Sequence, residues 1–184
     1  MKPWSMVLLP LCLVACGSSH KPAAPLPPTP PAATYYVGTS QAFVGEQQVA
    51  DSAVAVERLV SRGDRTIIER VAQAGDGHRP AAEYVVTMKV KGAAFTMTEA
   101  SGAFTGDGQL SGPDWAWTAW QSTSKMPDGG VVTSSDTVTP TGLHVEKTYR
   151  GHGMELRMVE ELQVVPEADY RQRRGEILSH ALDG

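Results

Sequence analysis

The chain is predicted to be all-β: an antiparallel meander of about 8–10 strands closed into a barrel or a strongly curved sheet. Three observations predict this. Apolar and polar residues alternate at period 2 through most of the chain after Thr34. Turn residues interrupt the alternation at intervals of roughly 8–14 residues. No long helical pattern intervenes to carry a parallel crossover.

Each element has its own signal. Residues 53–60 and 66–74 flank the turn sequence Ser61-Arg62-Gly63-Asp64. In the next run Tyr84, Val86, Met88 and Val90 fall on one face, and Val85, Thr87, Lys89 and Lys91 on the other. Residues 93–98 follow Gly92. Residues 103–110 are glycine-rich, with Gly106-Asp107-Gly108 as a turn or a strand kink. Residues 114–123 carry three tryptophans and read as a further strand. Pro127-Asp128-Gly129 suits a hairpin loop, since proline fixes a negative φ and glycine accepts a positive one. Residues 131–138, 143–149 and 154–164 complete the series, with Pro140-Thr141-Gly142 and Gly151-His152-Gly153 between them. Only residues 167–178 read as helix. Pro166 suits its start, and Glu167 and Asp169 followed by Arg171, Arg173 and Arg174 complement the helix dipole. Tyr170, Ile177 and Leu178 give it a docking stripe.

Composition narrows the partners. Among 184 residues, 20 are Asp or Glu and 16 are Lys or Arg. Nucleic acid is excluded as a partner, because phosphate affinity rests on basic contacts. No polybasic stretch is present to hold anionic lipid.

The N-terminal region is organised differently. Lys2 gives a positive start, and residues 4–14 form an apolar run of about ten residues, too short for a permanent span. The run ends in Leu13-Val14-Ala15-Cys16, and polar Gly17-Ser18-Ser19 follows. This tetrad resembles the lipobox of bacterial lipoproteins. The resemblance implies export, removal of residues 1–15 as a signal peptide, and acyl chains on Cys16 that attach the protein to a membrane. Three chains, as the family carries, make the attachment effectively permanent. Cleavage removes Lys2 and Cys12, leaving 15 basic side chains and Cys16 as the one cysteine. The domain then folds without a disulfide. Residues 16–33 comprise the lipidated cysteine and a proline-rich spacer, which favours polyproline II at about 3.1 Å per residue. Residues 34–184 form one domain. Gly17 stands where an aspartate would retain a lipoprotein in the inner membrane, which implies the outer membrane, facing the periplasm, in a Gram-negative source.

Reaction chemistry finds no foothold. His20, His78, His144, His152 and His180 show no metal-ligand spacing, and there is no C-x-x-C, so neither metal nor cofactor is expected. There is no G-x-S-x-G, and Gly106-Asp107-Gly108 lacks the acidic spacing of a calcium loop. The chain reads as a non-enzyme.

Two groups of residues carry more information. Met154, Leu156, Met158, Glu160 and Leu162 share a face, so a glutamate falls on an apolar side. Leu143, Val145, Lys147 and Tyr149 share a face of the preceding strand, which Lys147 interrupts likewise. Pairing through Gly151-His152-Gly153 brings Lys147 close to Glu160, directly or diagonally. The pair is an ion pair near the barrel mouth, a polar handle in a ligand cavity or, least favoured, a catalytic pair. Trp115 and Trp117 share a face and serve a core or an aromatic pocket; Trp120 lies on the opposite face. The expected ligand-lining set is Tyr84, Met88, Trp115, Trp117, Lys147, Leu156, Met158 and Glu160.

Lipobox, spacer and meander together resemble exported bacterial lipoproteins with a lipocalin-like barrel. That implies a membrane-anchored protein whose barrel binds a small apolar or amphipathic ligand. The alternative is a cell-envelope interaction or structural module, with a protein partner, a filled barrel and no ligand.

Overall fold

The computed structural model describes residues 32–75 and 80–179. Period-2 alternation has been converted into ten strands: β1 (Ala32–Val44), β2 (Gln47–Ser61), β3 (Thr66–Gln73), β4 (Ala82–Lys91), β5 (Ala94–Glu99), β6 (Thr105–Ser111), β7 (Ala119–Lys125), β8 (Val131–Val138), β9 (Gly142–Gly151) and β10 (Met154–Val165). Each pairs antiparallel with the next, and β1 also pairs with β10, from Tyr35↔Val165 to Phe43↔Arg157. The sheet is a closed meander barrel. The first strand opens at Ala32, opposite Val60, slightly ahead of the expected boundary at Thr34. The lipobox, Cys16 and the proline-rich segment up to Pro31 lie outside the described residues, as do His78 and His180.

The interior is apolar, built around Val56, Val71, Val86, Phe95, Leu143 and Leu162. Away from the face that carries the helix, many outward positions are polar. Lys89, Thr96, Asp107, Thr123, Thr133 and Thr148 are successive cross-strand partners along one outward row. A membrane-spanning barrel carries apolar residues along such a row.

Turn chemistry sets the register. The β9–β10 hairpin has His152 and Gly153 as its two loop residues, both at positive φ, 53° and 74°. Two such residues match the twist of the flanking strands. Gly129 N donates to the Met126 carbonyl at 3.0 Å, closing the expected Pro127-Asp128-Gly129 turn. Gly106-Asp107-Gly108 lies within β6, so of the two expected roles it takes the strand.

The tryptophan segment departs from expectation. β7 begins at Ala119, and Trp115 and Trp117 sit in the β6–β7 loop. Pro113 has no N–H for a ladder. Trp115 has φ 59°, a left-handed conformation that a strand cannot contain. Thr118 N donates to the Ser111 carbonyl at 2.9 Å and closes the loop just before pairing resumes. Trp120 is therefore the inward-facing tryptophan, 8% exposed.

One helix, α1 (Glu167–Ser179), follows β10 and lies on the outer surface of β1–β3. Ala55 and Ala72 are register partners on that surface, and their small side chains let the helix approach closely. Tyr170 and Ile177 are buried against them, and Arg174 clasps Glu83 through two hydrogen bonds of 2.7 Å.

Candidate functional site

Two adjacent cavities occupy the barrel. A central one of about 110 Å³ is bordered by Tyr84, Met88, Phe95, Met97, Ser122, Asp136 and Lys147, among others. A second, of about 270 Å³, lies beside the β6–β7 loop and is bordered by Tyr36, Met88, Leu110, Trp115, Trp117 and Trp120. Arg58 and Glu69 border both. The second cavity lies toward the end of the barrel that gathers the β2–β3, β4–β5, β6–β7 and β8–β9 connections and the start of β1.

Charged side chains intrude on this apolar interior because they occupy inward positions of alternating strands. Arg58 lies between Val56 and Val60 on β2, and Glu69 between Ile67 and Val71 on β3. The two are register partners. Arg58 Nε donates to Glu69 Oε1 at 2.6 Å, and the guanidinium lies 4.2 Å from the centroid of Trp120 and 5.4 Å from that of Tyr36. Burial works against the Arg58 charge, but attraction from Glu69 outweighs it and holds the guanidinium above its ordinary pKa. Lys147 Nζ donates to Glu160 Oε1 at 2.7 Å. Burial opposes that ammonium too, yet Glu160, with Tyr84 and Asp136, raises its pKa. The Tyr84 hydroxyl is shifted upward chiefly by burial, and its ring meets Phe104 edge-on at 6.5 Å.

Asp136 is the remaining ionisable carboxylate of the central chamber. It sits on β8, opposite Trp120 on one side and Val145 on the other, and is 8% exposed. Ser134 Oγ donates the one hydrogen bond its carboxylate receives among the described residues. Burial pushes the carboxyl up to about 6, against the Ser134 hydrogen bond and the more distant Lys147 and Arg58.

The expected lining set is thus divided. Tyr84, Met88, Lys147 and Glu160 border the central cavity, and Trp115 and Trp117 the second one. Leu156 and Met158 share the inward face of β10 with Glu160 but border neither cavity. They lie farther along the strand, toward the β9–β10 turn, where Met158 faces Ala42 and Lys147. Arg58, Glu69, Trp120 and Asp136 were not anticipated. Arg58 and Glu69 carried the same signal as Lys147 and Glu160, a charge interrupting an apolar face. Asp136 carried a weaker one, because the face Val132, Ser134, Asp136, Val138 is already half polar at Ser134.

Chemically, the arrangement offers an aromatic opening above a small, mainly apolar chamber into which charged and hydroxyl groups project. His144 faces outward, with Nδ1 at 2.6 Å from Glu161. Among the described residues no group of three His, Cys, Asp or Glu is placed to hold a metal ion. No protein-family model matches the chain, and no curated protein matches it.

Proposed function

We propose that this is an exported lipoprotein, anchored through Cys16 to the outer membrane, whose barrel binds a small amphipathic ligand and catalyses no reaction. The observation that carries the binding reading is the interior itself. It holds two cavities and five charged side chains, Arg58, Glu69, Asp136, Lys147 and Glu160, where a filled core would hold hydrocarbon. Burying charge costs free energy that packing alone gives no reason to spend. The second cavity approaches the roughly 300 Å³ at which small-ligand sites begin. The modest central volume favours the second reading, a filled envelope module acting through its surface.

Two measurements test the proposal. A hydrophobic fluorescent dye should bind the wild type and lose affinity in Trp117→Ala; no dye binding at all would leave the filled module. A fatty-acid probe should label the wild type and not Cys16→Ser, and equal labelling of both would remove the anchor.

A further inference from the structure

The charges around the central chamber do not balance, and the imbalance has a sign. Arg58 is committed to Glu69, and Lys147 to Glu160, each through a hydrogen-bonded ion pair. Asp136 has a hydroxyl for company and, among the described residues, no cation in contact. The chamber is therefore one carboxylate in excess of its cations. An anionic ligand would have to take Arg58 or Lys147 from its glutamate and leave a buried carboxylate unpaired. A cationic ligand displaces nothing and supplies what Asp136 lacks.

We infer that the ligand is a compact amphipathic cation, an organic ammonium ion whose charged end enters the central chamber and pairs with Asp136. This rests on the binding reading above. Ser122 and Ser134 border the same chamber and offer hydroxyl oxygens to the remaining N–H groups. About 110 Å³ admits a headgroup of a few heavy atoms and not a whole ligand, so the apolar part belongs in the second cavity, beside Trp115 and Trp117. These rings lie 4.7 Å apart, and the Arg65 guanidinium already rests 5.5 Å from the Trp115 centroid, so this aromatic rim is compatible with cations. Met88 borders both cavities, and its unbranched thioether can move aside for a chain running between them.

The test compares three probes of one length, hexylammonium, 1-hexanol and hexanoate, titrated calorimetrically at pH 7.5 into the full chain held in amphipol. Hexylammonium should bind at least about tenfold more tightly than hexanol, with hexanoate weakest. In Asp136→Asn the ammonium preference should collapse to within about twofold while hexanol binding persists. A thermal melt establishes that this variant is folded. Equal binding of the three probes, or preference for hexanoate, overturns the cation and leaves the binding reading standing. Retained ammonium preference in Asp136→Asn overturns Asp136 as its partner. Failure of all three probes and of the dye removes the binding reading, and this inference with it.

Discussion

Lys147 and Glu160 meet diagonally across the β9–β10 pair, Lys147 standing opposite Met158 and Glu160 opposite Val145, with 2.7 Å between Nζ and Oε1. Neither side chain has a second cation or carboxylate in contact among the described residues, so each depends on the other. Lys147→Met should leave Glu160 buried and unpaired and cost about 3–5 kcal/mol. The double variant Lys147→Met with Glu160→Met should recover most of that loss. Urea denaturation of the four proteins of the cycle checks this, and additive losses would show that the pair is not coupled.

Asp136 gives the protein a pH dependence of definite sign. Its folded-state pKa, about 6, lies above the 3.8 of an ordinary aspartate, so the folded state holds the proton more tightly than the unfolded one. Its contribution to stability is therefore fullest near pH 4 and falls as pH rises through 6. Arg58, Glu69, Tyr84, Lys147 and Glu160 face the same chamber, so a comparison with Asp136→Asn isolates the one group. That variant should be more stable than the parent at pH 7.5, by up to about 3 kcal/mol, and nearly equal to it at pH 4. Denaturant midpoints at the two pH values measure the difference. A variant less stable than the parent at pH 7.5 would contradict it.

Much of this was legible in the sequence, and what was not has physical reasons. The alternation of Tyr84, Val86, Met88 and Val90, the Gly151-His152-Gly153 turn and the Lys147–Glu160 approach follow from side-chain period and hairpin geometry alone. The helix expected at 167–178 is found at Glu167–Ser179. Local pattern held for 119–123, which lies in β7, and misled at 114–118, because aromatic residues favour strands while Pro113 and the left-handed Trp115 forbid one there. Asp136 was missed for a different reason. A strand whose middle is threonine, serine and aspartate does not announce which side faces in; its neighbours Trp120 and Val145 decide that.

The tryptophans should separate in mutational cost. Trp120 is 8% exposed and lies under the Arg58 guanidinium, so Trp120→Ala should cost about 3–5 kcal/mol. Trp117, half-buried in a loop beside the second cavity, has less packing to lose, and Trp117→Ala should cost about 1–2 kcal/mol. Thermal and chemical denaturation would rank them, and equal costs would mean that the β6–β7 loop is part of the core.

Gly38 is placed where no side chain fits. It pairs with Leu162 on one side and Val54 on the other, and a Cβ there would lie 1.9 Å from the Glu161 carbonyl oxygen. That obstacle is backbone, which cannot rotate away. Gly38→Ala should destabilise by about 3 kcal/mol, the upper end of overpacking. By contrast, a Cβ at Gly63 meets nothing within 4 Å, so Gly63→Ala should stay within about 0.5 kcal/mol of the parent. A tolerant Gly38→Ala, measured by the same unfolding assay, would show that the β1–β10 contact gives way.

The pairing of β1 with β10 has a kinetic consequence. Every other strand pair joins neighbours in the chain, but this seam joins Tyr35 to Val165. Contacts so distant in sequence form late and slow folding, because loop-closure entropy must be met before they reward it. Until then β1 and β10 are free edges, open to pairing with other chains. The element that comes after the closing strand also secures the seam. α1 follows β10 directly and crosses onto β1, β2 and β3, so the closing strand carries its own latch. A nascent chain cannot complete the barrel before residue 165 has emerged, and a chain truncated before β10 has no means of closing at all.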